Sequence, residues 1–502
     1  MAKTQTVPGS SRALVLVASL SAAGIALLLP LPEGMPEPAR RAAVVGILMA
    51  VMWVFEVMPL AATALVPIVA FPMLGVANVD VVAQSYSNPI VFLFLGGFML
   101  AAAMQRWELH RHLALAAVGV AGRNQRSIIL AMMAATAFIS LWVSNTATAM
   151  VMVPIAAALL ASMHTGSGDR RQLDERGAHS TPAAIEPPDD FRPALMLGIA
   201  FAATIGGMGS LIGTPPNALL AAFISKTYGI TIGFGQWMLI GIPIVLLLIP
   251  TTWLMLTRVT FHVPDAELPA GALIEPRGRL ERGGRIVAAV LVATAASFIL
   301  RPWLAEVLGI RGLSDAGIAI AAALLLFMMP QRFSGGRTLL DWKDVGGIRW
   351  DVLILFGGGL ALADVIGSSG LAAWIGGSIE GLSDLPFPLL VLVLMATVVY
   401  LGELASNTAI AAIFLPVAGA AAVGLGAHPL LLTLPVALAA SLGFMLPVAT
   451  PPNAIVFGTD EVTSRQMLRA GSVLDVVSII IVYAVAMLLA PLVFGLPSAS
   501  AG

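Results

Sequence analysis

The sequence predicts an all-α polytopic membrane protein of about eleven transmembrane helices plus two re-entrant hairpins, arranged as an inverted-topology repeat. Three observations carry that prediction. Only 11% of the 502 residues are charged and the mean hydropathy is +0.95, whereas a water-facing protein carries about 25% charged residues. Apolar runs long enough to cross or enter a hydrocarbon core of about 30 Å recur from end to end. One set of polar and proline motifs also occurs twice in the same order.

The first run, Ala13 to Leu31, follows Lys3 and Arg12 and ends without a small-residue cleavage site. Residues 1–40 therefore read as a retained first helix rather than a signal peptide. Further runs fall near 42–58, 60–77, 89–105, 128–162, 194–224 and 236–257. After a hydrophilic linker come 285–304, 315–330, 350–377, 387–424, 429–458 and 472–494. Runs 128–162 and 387–424 exceed one crossing and carry Ser-Asn-Thr near the middle, which predicts hairpins that enter the membrane and turn back. Runs 194–224 and 429–458 contain Pro-Pro pairs, which remove backbone donors and break each helix. Irregular backbone at that depth survives only against protein or a watery cavity. His164–Pro193 is rich in charge, Pro and Gly and reads as a mobile cytoplasmic loop. The repeats are expected over 41–260 and 285–495.

Basic clusters lie between 106 and 126, 258 and 285, 332 and 349, and at Arg465 and Arg469. With the amino terminus inside, all four face the cytoplasm, and Arg40 and Arg41 are the exception. The expected location is the inner (plasma) membrane. A net charge of −1 makes no electrostatic case for nucleic acid. The absence of cysteine excludes disulfides and thiol chemistry.

The repeat rests on four elements. FLGGFMLA at 94–101 matches FGGGLALA at 356–363, and Ser144-Asn145-Thr146 matches Ser406-Asn407-Thr408, both at an offset of 262. Each is followed by a proline break, GTPPNALL at 213–220 and ATPPNAIVFG at 449–458. The spacing from Ser144 to Thr214 exceeds that from Ser406 to Thr450 by 26, close to the length of the hydrophilic loop present only in the first half. Broken helices of inverted repeats meet near the midplane around substrate and coupling ions.

Ser, Asn and Thr at a hairpin tip present hydroxyl and amide groups beside the N–H groups of a new helix, where partial positive charge favours a carboxylate. The same oxygens, with carbonyls freed by the Pro-Pro breaks, suit a hard cation such as Na⁺ equally well. No Lys or Arg occurs in 127–163, 194–225, 227–257 or 386–464. A bound anion would therefore rely on helix ends and cations, because burying it unpaired costs several kcal/mol.

SNTATAM and SNTAIAAIF, with GTPPNALL, ATPPNAIVFG, NPIVFLFLGGFMLA and VFEVMPLAATAL, resemble the divalent anion:sodium symporter family over roughly 40–495. The resemblance implies a homodimer with a scaffold domain and a mobile transport domain working as an elevator. It implies C4-dicarboxylates as substrates, with citrate or sulfate in some branches, carried by Na⁺ symport or by exchange. Ser140, Ser144, Asn145 and Gly213 would then hold one Na⁺, and Gly402, Ala405, Asn407 and Ala449 a second. Asn145, Thr146, Thr214 and Pro215 would hold the substrate together with Asn407, Thr408, Thr450 and Pro451. One departure stands out: Gly402 replaces the threonine common in the family, so the second site lacks a hydroxyl.

An enzyme is not expected. Gly367-Ser368-Ser369-Gly370 matches a rhomboid-type GxSG, but that mechanism needs an intramembrane histidine, and the six histidines read as loop or span-end residues. An arsenite or proton-coupled transporter is the other rival, disfavoured by the paired motifs. Asp364, Glu403 and Asp475 are ionisable within or beside spans and are functional suspects for that reason. For all three the bland alternative is solvent exposure at a helix end or hairpin. The tryptophans mostly flank spans, as interfacial anchors do.

Overall fold

A computed structural model describes residues 9–174, 190–268, 280–310, 312–331, 337–378 and 385–496. Among these residues every regular element is helical, and extended pairing is limited to isolated bridges of Asn124 with Glu267 and Pro330 with Thr338.

Helices α1 (Gly9–Leu28) and α2 (Glu37–Val54) open the chain. The run at 60–77 is not one helix but two, α3 (Leu60–Thr63) and α4 (Val66–Met73). The break frees the Ala64 carbonyl, which accepts from the Tyr86 hydroxyl. Gly358 packs on the same spot, where an added Cβ would stand 2.2 Å from Ala64 O. Next come α5 (Val79–Gln84), a 3-10 turn at Ser85–Ser87, α6 (Pro89–Arg106) and α7 (Leu109–Ala121). Helix α7 holds His110 and His112, which the sequence reading places in a loop or at a span end.

The first hairpin is α8 (Gln125–Ser140) and α9 (Asn145–Asp174). Helix α9 runs on into the stretch expected to be loop, because adding turns to a nucleated helix costs little. Residues 175–189 of that stretch lie outside the described residues. The first broken helix is α10 (Phe191–Gly207) and α11 (Pro215–Tyr228), and α12 (Phe234–Leu254) follows, ending in a π turn at Met255–Thr260.

The second half begins with α13 (Arg282–Val307), α14 (Asp315–Met328) and α15 (Trp342–Val345). The run at 350–377 is again two helices, α16 (Trp350–Ser368) and α17 (Leu371–Ser378), separated at Gly370 with φ +84°. The GxSG sequence is thus a left-handed helix end, a conformation glycine adopts without penalty. The second hairpin is α18 (Phe387–Gly402) and α19 (Asn407–Gly424). The second broken helix is α20 (Leu430–Ala439) and α21 (Pro451–Phe457), and α22 (Ser464–Phe494) closes the chain.

Helices α6 to α12 therefore correspond in order to α16 to α22. Among the described residues seven stretches are long and apolar enough to cross a membrane, and eight further apolar helical stretches have 10–17 residues, the broken Leu60–Met73 among them. The hairpin arms α8 and α18 and the segments α10 and α20 belong to the shorter set, as the SNT turns and Pro-Pro breaks require. Helix α10 is buried along nearly its whole length. It packs on α8, α9 and α21, while α11 reaches α16 and α19. Each hairpin thus touches the broken helix of the other half.

Arg40 and Arg41, the exceptions to the charge pattern, share the single carboxylate of Glu37 and donate to the Leu29 and Leu74 carbonyls respectively.

Candidate functional site

In the first half, α8 ends at Ser140 and α9 restarts at Asn145, so a four-residue turn brings both side chains to the break between α10 and α11. Ser140 Oγ donates to Ala203 O at 2.6 Å. The Asn145 amide terminus lies 2.8 Å from Ser140 Oγ, 3.1 Å from Ala203 O and 3.3 Å from Gly213 O. With its oxygen turned inward, Oδ1 accepts from Ser140 Oγ and faces the Ala203 and Gly213 carbonyls, a set of hard oxygens that suits a cation. With the amide rotated, the two hydrogens of Nδ2 have Ser140 Oγ, Ala203 O and Gly213 O within donor reach. Ser140, Asn145 and Gly213 thus share one cradle, and Ser144, capping the turn, accepts from Ala147 N at 3.4 Å.

The second cradle is looser. Asn407 Oδ1 is without a hydrogen-bond partner. It lies 3.8 Å from where a Cβ on Gly402 would stand, with Leu442 O at 3.9 Å. Ser140 and Gly402 are repeat equivalents at the 262 offset, so the hydroxyl that closes the first cradle is absent here. Ala405 is half-buried in the turn and Ala449 is buried at the break.

Thr214 and Thr450 are the buried caps of α11 and α21, and Thr450 Oγ1 accepts from Asn453 N at 3.5 Å. Pro215 and Pro451 follow as first helical residues, where a missing N–H costs nothing. Asn145, Thr146 and Asn407 are half-buried at their helix starts, Thr408 is buried, and Pro451 is exposed.

Sequence reasoning missed what holds the breaks open. Asn217 Nδ2 donates to Gly207 O at 3.2 Å and Ser210 O at 2.8 Å, and Asn453 Nδ2 donates to Gly443 O at 3.2 Å and Leu446 O at 3.1 Å. These are the same bonds made twice, by the last residue of each TPPN, and both asparagines are fully buried. The repeated asparagine was the available signal. Trp237 is also no interfacial anchor: it is fully buried and donates to Met208 O at 2.9 Å.

Two of the three acidic suspects, Glu403 and Asp475, are buried, and the third is half-buried and paired. Asp364 pairs with Lys226 and accepts from Ser85 Oγ at 2.8 Å, so the one lysine of the first broken helix is already neutralised. Glu403 accepts from Met445 N at 3.0 Å and Leu446 N at 2.9 Å. Asp475 is wholly buried.

The family model described as the sodium:sulfate symporter transmembrane region matches residues 10–496. The chain belongs to the divalent anion:sodium symporter family. It is a membrane transporter, not an enzyme. It is 38% identical over 472 residues to the sodium-dependent dicarboxylate transporter SdcS of Staphylococcus aureus strain USA300, covering 93% of this chain and 88% of that one. The SdcS of strain MRSA252 matches equally. Among solved structures, the YdaH transporter of Alcanivorax borkumensis, described as having an unusual topology, aligns with a TM-score of 0.57 over 91% of this chain and 99% of that one. At 15% identity that likeness concerns the fold alone.

Within this symporter family framework Gly402 gives a direct test. A Cβ at 402 meets no atom closer than 3.8 Å, and the nearest is Asn407 Oδ1, so the hydroxyl of Gly402→Thr would be carried on a carbon already beside that oxygen. The expected result is a stable protein whose half-saturating Na⁺ concentration for uptake falls about fivefold, the worth of one contact of about 1 kcal/mol. An unchanged Na⁺ curve in the folded variant removes position 402 from the second site.

Proposed function

We propose that this transporter carries C4-dicarboxylates such as succinate, malate and fumarate into the cell together with Na⁺. The observation that carries the reading is the pair of oxygen-lined cradles beneath the Asn145 and Asn407 helix starts, in segments without a basic side chain. A carboxylate at each tip would meet the first N–H groups and side chains of Asn145-Thr146 or Asn407-Thr408, with the Thr214-Pro215 and Thr450-Pro451 corners alongside. Two Na⁺ ions would sit against the same asparagines from below, one with Ser140, Ser144 and Gly213, the other with Gly402, Ala405 and Ala449. Each asparagine then serves both cargoes, which makes cation and dianion binding mutually dependent. The similarity to a sodium-dependent dicarboxylate transporter supports this substrate class over citrate or sulfate, and symport over exchange.

The reading includes eleven crossings, a cytoplasmic amino terminus in the inner (plasma) membrane, and a homodimer. It includes inverted repeats over 41–260 and 285–495, and an elevator in which hairpins and broken helices move against a scaffold. In that movement the Lys226–Asp364 pair, which joins α11 to α16, parts once per cycle.

Proteoliposomes test it. Radiolabelled succinate uptake is expected with an inward Na⁺ gradient and not with K⁺, and unlabelled malate and fumarate should compete. Uptake equal in Na⁺ and K⁺ defeats the sodium claim. Since the chain lacks cysteine, a disulfide between cysteines placed at 226 and 364 should arrest uptake reversibly. Full uptake under crosslink defeats the elevator.

A further inference from the structure

The two repeats build the junction between hairpin, break and closing helix from different chemistry. In both, a glycine of the closing helix packs backbone to backbone on the break: a Cβ on Gly241 would stand 2.6 Å from Met208 O, and one on Gly471 2.1 Å from Phe444 O. These contacts align α12 with α22 at an offset of 230. Asp475 then corresponds to Val245 and Ser478 to Leu248, while Glu403 corresponds to Leu141 at the hairpin offset of 262. In the first repeat the trio is apolar and buried, with Leu141 and Val245 both pressed on Gly209. In the second it is two carboxylates and a hydroxyl.

The fold does not need those polar groups, since the first repeat closes the same junction without them. Glu403 has a bracing role at the Met445 and Leu446 amides, and Ser210 does the equivalent work in the first repeat by donating to Leu141 O at 2.5 Å. Ser478 braces nothing, and Asp475 lies beside the Phe444 backbone without reaching hydrogen-bond geometry. Both are 0% exposed, and neither oxygen of Asp475 nor the Ser478 hydroxyl has a hydrogen-bond partner. Three residues apart, they share one face of α22. The Glu403 carboxylate lies against Asp475 from the hairpin side. Two adjacent buried carboxylates without a basic partner cost several kcal/mol unless a cation or a shared proton sits with them.

We propose that Glu403, Asp475 and Ser478 form a further Na⁺ site, outside both SNT cradles and joining the second hairpin to α22. Three hard oxygen donors from two elements suit an alkali cation. The site rests on the Na⁺-coupled reading above and adds one ion to it. A cation here would tie the second hairpin, through Glu403, to the closing helix.

The test uses the purified full chain in detergent, without substrate, with Na⁺ exchanged for choline at constant ionic strength. The unfolding temperature of the wild type should rise with Na⁺. In Asp475→Asn, nearly isosteric, the midpoint of that rise should shift upward by about tenfold, and in Ser478→Ala by about threefold, as for loss of a charged and a neutral ligand. In proteoliposomes the isotopic ratio of Na⁺ to dicarboxylate should fall by one in Asp475→Asn. A folded Asp475→Asn with the wild-type Na⁺ midpoint overturns the site. So does a variant whose uptake changes only in its pH profile, because the group then holds a proton. Should Asp475→Asn fail to fold, Ser478→Ala decides alone, and an unshifted midpoint there overturns the proposal. A wild type that Na⁺ does not stabilise at all defeats the sodium reading itself, a different failure from the loss of this one site.

Discussion

Asn145→Ala and Asn407→Ala should each reduce dicarboxylate uptake by about 100-fold or more while leaving a folded protein. The functional loss follows from position: each amide stands at a helix start and at the mouth of a cation cradle, so one substitution weakens two coupled binding events. Losing about 3 kcal/mol across the pair corresponds to that factor at 1.4 kcal/mol per tenfold. Stability should change little, and for different reasons in the two halves. In the first, Ser140 Oγ keeps its 2.6 Å bond to Ala203 O after Asn145 is gone. In the second, Asn407 Oδ1 has no partner to lose, so truncation removes a buried unsatisfied group. Uptake and unfolding temperature, measured on the same preparations, check both statements. Wild-type uptake in either variant removes that asparagine from the site.

Gly207→Ala should have a comparable effect by filling the first cradle rather than emptying it. A Cβ at 207 would stand 2.3 Å from the Asn145 amide, the movable end of a side chain, so the chain folds by expelling Asn145 from its place. Gly213→Ala differs, because its Cβ would stand 2.4 Å from Gly207 O and 2.8 Å from Gly207 Cα, which are backbone atoms. Overpacking of that kind costs about 1–3 kcal/mol. Uptake should therefore vanish in both, with a marked fall in unfolding temperature only for Gly213→Ala. Gly402→Ala in the roomier second cradle is the control and should retain uptake, its nearest neighbour being 3.8 Å away. A Gly207→Ala protein with normal Na⁺ dependence would mean that Asn145 does not act from this cradle.

The sequence by itself determined the class of the molecule, the two SNT turns, the two TPPN breaks and the equivalence of Ser140 with Gly402. These are local statements. A proline breaks a helix wherever it lies, and a polar triplet in the middle of a long apolar run has to sit at a turn. Periodicity could not show that the runs at 60–77 and 350–377 each break in two, because Ala64 and Gly370 are ordinary residues in an apolar stretch until a partner reaches them. Tertiary structure alone decided the fate of the acidic residues. Asp364 is paired with a lysine 138 positions before it, and Glu403 accepts from the amides of Met445 and Leu446. Asp475 is enclosed beside Glu403 rather than exposed at a helix end. The physical reason is that helix-to-helix register in a protein surrounded by lipid is set by small residues meeting backbone to backbone, as Gly241 and Gly471 do. That register carries no signal in hydropathy, so which buried oxygens face each other is visible only once the helices are packed.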